Sequence, residues 1–163
     1  EFFTLLKTHL PEFRDAQLDA TGPHIGIRES RRIMGEYRLT VDDVRAHRQF
    51  DDGILTATFW VDIHENEGVD QERQAKDHIA VHYQIPYRCL VPLKVDNLLT
   101  AGRCISGDYF AHASYRVTGD CVAMGQAAGT AAALCLEQNV TPRALPGASV
   151  VAAMEADGAV CRT

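Results

Sequence analysis

The stretch GDCVAMGQAAGTAAALC, from Gly119 to Cys135, constrains this chain more than any other. Its Ala, Met, Leu and Gln content makes it a helix former. Yet it carries Gly119, Gly125 and Gly129. A glycine inside a helix costs roughly 0.5–1 kcal/mol relative to alanine, so these three cost about 2–3 kcal/mol together. A helix that keeps them gains something from the missing side chains. Cys121, Gly125, Gly129 and Ala133 recur every fourth residue and form one stripe of small residues along a helix face, where another backbone can come close. A membrane helix pair of the G-x-x-x-G type is disfavoured, because Asp120, Gln126 and Glu137 bracket or interrupt the run and its apolar part is too short to span. Two readings stay open. One is a helix packed tightly on a sheet. The other adds a ligand at the N-terminal end, where the free amides of Val117, Thr118 and Gly119 would point at it with the positive end of the helix dipole behind them.

Charge and cysteine usage narrow the class. The 163 residues suffice for one domain with its own core, and 46% hydrophobic with 23% charged residues is a soluble, globular balance. A formal charge of -6 argues against nucleic acid as a partner, and the nearest thing to a basic run, RRIMGEYR at Arg31, is interrupted by apolar residues. Cys89, Cys104, Cys121, Cys135 and Cys161 are odd in number with no C-x-x-C pair, which fits reduced thiols and gives no zinc spacing. No stretch of these residues reads as a signal peptide and no apolar run is long enough for a membrane, so no membrane partner is expected. No segment fixes a compartment; the reading leans to the cytoplasm over a periplasmic or secreted setting. His64, His78 and His82, with Asp62 and Asp77, match no metal pattern, so no metal site is expected. Nothing marks an activated serine.

Along the chain, EFFTLLKTHLPEF is an amphipathic helix that Pro11 ends. HIGIRESRRIMGEYRLT reads as one or two short strands around Gly35. Thr40 opens TVDDV as an N-cap with an acid at the third helical position, giving a short helix to about His47. A turn at Asp51 leads to the alternating strand ILTATFWVDIH. ENEGVDQERQAKD is a polar loop, the most exposed stretch. AVHYQIPYRCLVP is strand-like, and VDNLLTAGRC is a short strand ending in a glycine turn. DYFAHASYRVTG is a connector, followed by the small-residue helix from about Arg116 to Gln138. ASVVAAMEADG is a last short helix with Gly158 at its C-terminal cap. The fold class is therefore α/β, with mixed strands from about Ile25 to Arg103 and then helices.

NLLTAGRCISGDYFAHASYRVTGDCVAMGQAAGTAAALC resembles the C-terminal flavin-contacting segment of FAD-dependent oxidoreductases of the glutathione-reductase-like class. GIRESRRIMGEYRLTVDDV and IPYRCLVPLKVDNLL resemble one subfamily of these, a group associated with xanthan lyases. The likeness is dense from about Ile25 to Leu136 and looser in the tail. It implies that residues 1–95 belong to a substrate or cap region, and that 96–163 form the C-terminal segment of an FAD/NAD(P)-binding-type domain.

The resemblance implies roles residue by residue. The strand from Asn97 reaches the cofactor at the turn Ala101, Gly102 and Arg103. Many relatives carry an acid where Arg103 stands; here the arginine suits a diphosphate or a carbonyl, or else anchors a loop carboxylate. Ser106 donates to a ribityl or phosphate oxygen, or is a turn residue. Arg116, Val117, Thr118 and Gly119 start the helix whose amides meet the flavin pyrimidine edge and raise its potential. His112 is the candidate proton donor or acceptor beside the flavin, or a residue that orders its loop. Arg28, Arg31 and Arg32 hold an acidic or sugar-like substrate, or pair with Glu29, Glu36 or nearby aspartates. Cys104 reads as a small buried residue rather than a redox thiol.

One departure from the family pattern is a missing G-x-G-x-x-G turn; GRCISG, from Gly102 to Gly107, has the wrong spacing. The expectation is a C-terminal portion of a longer protein, with FAD bound weakly or not at all by this chain alone. The helix face meant for the missing half would be exposed, or covered by a second copy in a homo-dimer. The function expected of the whole is hydride transfer through flavin on an unknown small molecule. The alternatives are an interaction module that has lost its cofactor, or a carbohydrate-related lyase companion.

Overall fold

The computed structural model describes residues 1–63 and 81–161. The fold is mixed α/β. Helix α1, Phe2–His9, stops where Pro11 begins a single 3-10 turn, and buries none of its residues. Helix α2, Val41–Arg45, starts at Thr40 in the expected way: the Thr40 hydroxyl accepts from the Asp43 amide, while the Asp43 carboxylate accepts from the Thr40 amide at 2.9 Å. Arg48 adds an ion pair to Asp43 at 2.7 Å. These contacts hold the Asp43 carboxyl below its usual range in spite of its burial.

Among the described residues the sheet has two antiparallel strands, β1 Gly53–Ala57 and β2 Tyr83–Pro86, with Leu55 opposite Ile85 and a bulge between Gly53 and Leu55. Arg88 clamps the turn before β1 by donating from Nε and Nη2 to the two oxygens of Asp52, at 2.9 and 3.1 Å. Helices α4, Thr118–Gln138, and α5, Gly147–Ala156, pack on β1 and on each other. Leu39, Ile54, Tyr83, Ile85, Leu90, Tyr115 and Met124 are fully buried between these elements.

Three expectations are corrected. No strand forms around Gly35. The chain crosses its neighbours there in isolated bridges, Gly35 to Pro92 and Leu39 to Gly107, because residue 35 sits at a junction of segments rather than alongside one. No strand forms over 97–101 either. Asn97 takes a left-handed φ of 53°, which asparagine tolerates, and this breaks the extended run so that Thr100 alone bonds across to the Leu90 carbonyl. The connector DYFAHASYRVTG is largely a helix, α3 Tyr109–Tyr115, capped by Asp108, whose carboxylate accepts from the Ala111 amide at 2.7 Å. The polar loop ENEGVDQERQAKD lies outside the described residues.

Helix α4 answers the glycine question. Its buried face is Met124, Ala127, Ala131 and Cys135. The small-residue stripe lies largely on the opposite side, with Gly125, Gly129 and Ala133 exposed. A Cβ built on Gly119, Gly125 or Gly129 would meet nothing within 4 Å. The glycines therefore make no room for any described part of this chain. On the same open side Val122 is 68% and Leu136 84% exposed. Among the described residues no helix is long and apolar enough to cross a membrane.

Candidate functional site

The site is built where α3 hands over to α4. Arg116 ends α3, and Val117 is extended at φ -75° and ψ 154°, so α4 starts afresh at Thr118 in a new direction. No side chain caps this start. The first amides of the helix have no carbonyl a turn earlier to bond. They open beside a cleft of about 640 Å³ lined by Arg28, Phe59, Asp62, Arg103, Ala113, Arg116, Val117, Thr118 and Cys121. Arg116 fixes one wall by donating from Nη2 to the Asp62 carbonyl at 2.8 Å. Gly102 forms the turn opposite α4. Its φ is +73°, and a Cβ there would come 3.3 Å from the Cys121 sulfur, so the turn needs glycine for both backbone and space.

A smaller cleft of about 310 Å³ adjoins, lined by Ile27, Arg28, Ser30, Arg31, Ala101, Arg103 and Cys104. Arg28 and Arg103 line both clefts. Arg103 also donates from Nη1 to the Ile27 carbonyl, tying the segment before Gly35 over the turn.

Behind these walls sits His112, fully buried in α3. Its Nε2 lies 3.1 Å from the Arg103 carbonyl, which can only accept, so Nε2 carries the proton. Nδ1 makes no hydrogen bond and stands 3.9 Å from a Glu29 oxygen. Burial lowers the His112 pKa, and the Arg32 cation lowers it further. At neutral pH the ring is then neutral, with a free lone pair on Nδ1 facing a carboxylate. Glu29 is the hub: it pairs with Arg32 at 2.7 Å and lies 3.8 Å from Arg116. A proton arriving at Nδ1 would find that carboxylate waiting.

The structure brings Arg103, Arg116, Val117 and Thr118 to one cleft, Ala101 and Arg103 to the other, and Gly102 between them and α4. Gly119 follows in the first turn of α4. Ser106 stands apart. It is fully buried under Gly35, its amide bonds the Cys89 carbonyl at 3.0 Å, and it lines neither cleft. Cys104 is exposed rather than buried, which corrects the expectation for it. Arg32 is drawn to Glu29, so the expected trio of Arg28, Arg31 and Arg32 becomes Arg28, Arg31 and Arg103. The sequence places Phe59 and Asp62 in the strand ILTATFWVDIH, which ends at Ala57, and offers Asp62 only for a metal, so neither is expected at the site. His64, Asp77 and His78 lie outside the described residues. Among those described, no group of three His, Cys, Asp or Glu side chains is placed to hold a metal ion.

Asp120, in the first turn of α4, has one carboxylate oxygen buried without a partner, and burial pushes its pKa up to about 7. A carboxyl whose folded pKa exceeds its unfolded one adds stability that is complete below about pH 4 and is lost as pH rises through about 7. The full shift would be worth about 4 kcal/mol; partial exposure and the positive helix end reduce it to about 2 kcal/mol. Asp120→Asn is therefore expected to raise the melting temperature at pH 8 by roughly 4–8 °C and by a smaller amount at pH 5. An equal shift at both pH values in thermal melts would contradict this.

A family model described as FAD dependent oxidoreductase matches residues 1–154. No curated protein and no solved structure matches the chain.

Proposed function

The chain belongs to the FAD dependent oxidoreductase family, and from that premise we propose that the cleft at the start of α4 receives the flavin end of FAD in an oxidoreductase acting on a small molecule. The observation that carries this reading is the uncapped start of a 21-residue helix opening on a cleft lined by three guanidinium groups. The donor set fits such a group. Amides at Val117, Thr118 and Gly119 and the cations of Arg103 and Arg116 favour negative charge there, and the Ala101–Gly102 turn offers backbone without a side chain in the way. When bound, FAD supplies hydride transfer. His112, behind the wall and lining neither cleft, keeps a free lone pair on Nδ1 beside Glu29, in the role of proton acceptor for the site. The AGRCIS and GQAAGTAAA segments favour the glutathione-reductase-like class and, with GIRESRR, the subfamily associated with xanthan lyases.

In this reading residues 96–163 are a C-terminal segment of an FAD-binding domain and 1–95 part of a substrate or cap region. The open face of α4 is then the seat for the nucleotide-binding part of that domain. A second copy of the chain on the same face is the outcome that would displace this arrangement.

The test is Thr118→Pro. Proline is tolerated at the first helical position, and Val117 already has the extended backbone that a following proline demands. The helix survives while one amide donor is lost. Flavin affinity is expected to fall by about tenfold, with a more negative flavin potential and an unchanged far-UV spectrum. Unaltered affinity and potential would separate the helix start from the flavin.

A further inference from the structure

We propose that the smaller cleft, lined by Arg28, Arg31 and Arg103, binds an oxyanion of the substrate, a carboxylate or a phosphate, so that the substrate class is a small anion. The proposal rests on the flavin reading of the adjoining cleft for the word substrate; the anion site itself does not.

The chain carries a formal charge of -6. Even so, three guanidinium groups line this cleft, Arg28 and Arg31 from one segment and Arg103 from another, with Arg116 on the larger cleft and Arg32 near Glu29. Their charge is unevenly answered. Glu29 takes Arg32 at 2.7 Å and lies near Arg116. Arg28 and Arg31 make no hydrogen bond or ion pair among the described residues. Arg103 gives one N–H to a neutral carbonyl and keeps most of its donors. No carboxylate lines the smaller cleft, whereas Asp62 lines the larger. Cations concentrated in a concave, partly walled space draw anions and pair with planar oxyanions two bonds at a time. At about 310 Å³ the space suits a phosphate or a short acid and is about half the size of its neighbour. Because Arg28 and Arg103 wall both clefts, an anion held here would stand next to whatever fills the larger one.

The experiment titrates inorganic phosphate at low salt into the 163-residue chain and into protein made from the complete gene. Binding is read from the arginine Nε–H resonances, in the protein from the complete gene with and without saturating FAD. Arg28→Ala and Arg31→Ala, both exposed and unpaired, are each expected to weaken phosphate binding by about tenfold without moving the melting temperature. The exposed Lys94→Ala is expected to change nothing. Binding that persists with FAD present supports a substrate site. No binding, or binding equal in the Arg28→Ala/Arg31→Ala variant (an adventitious ion only), overturns the proposal. So does phosphate displaced by FAD, which would assign these arginines to the cofactor's own phosphates. FAD uptake is followed separately by its fluorescence. Arginine-dependent phosphate binding, together with protein from the complete gene that takes up no FAD, would keep the anion site and remove the flavin reading.

Discussion

Gly35→Ala is expected to destabilise the chain by about 2–3 kcal/mol. A Cβ at residue 35 would lie 2.8 Å from the Ser106 Cβ and 3.1 Å from both the Arg88 and Val91 carbonyl oxygens. Those oxygens belong to backbone that cannot retreat: the Val91 carbonyl accepts from the Glu36 amide at 2.9 Å, and the Arg88 carbonyl from the Tyr37 amide at 3.2 Å. Three segments meet at this point, and they include the one that carries Ser106 towards α3. The melting temperature should fall by roughly 4–12 °C. A loss below about 0.5 kcal/mol in urea denaturation would mean that the junction is looser than these distances require.

Gly129 should behave in the opposite way in the chain and just as strongly in the holoprotein. It is helical, exposed and clear of every described atom. Gly129→Ala is thus expected to stabilise the chain by about 0.5–1 kcal/mol, and Gly129→Leu should also leave it folded. In protein made from the complete gene the same leucine would stand in the seat proposed for the nucleotide-binding part. Overpacking of about 1–3 kcal/mol corresponds to roughly tenfold to hundredfold weaker flavin retention. Flavin held as tightly by Gly129→Leu as by the parent protein would show that nothing docks on this face.

The sequence was most readable where one segment decides its own shape. Thr40 and Asp43 meet within a single turn, so the start of α2 follows from four adjacent letters. Pro11 ends α1 in the same local way. The small-residue helix was legible from composition, though which of its faces is buried was not: the glycine stripe and the Met124, Ala127, Ala131 and Cys135 face lie on nearly opposite sides, and the elements packed on the helix, β1 and α5 among them, decide between them. Helix α3 was missed because Tyr109, Phe110, His112 and Tyr115 are poor helix formers, and only burial of Ala111 to Tyr115 overrides that. The strand expected at Asn97 was lost to one left-handed residue. For the site, the arginine cluster was visible but not its membership. Glu29 captures Arg32 three residues away, whereas Arg103 reaches Ile27 across 76 residues, a meeting no local pattern records. Ser106 looked like a donor in a glycine loop, and tertiary packing closed that loop over it.

The most direct test of the flavin assignment is the visible absorption spectrum of protein expressed from its complete gene and purified without added cofactor, then repeated after incubation with FAD. Bound flavin is expected, with its two visible bands, and Thr118→Pro should hold it less tightly. A colourless protein that stays colourless after FAD is added would contradict the account, and the open cleft at Thr118 would then need another ligand.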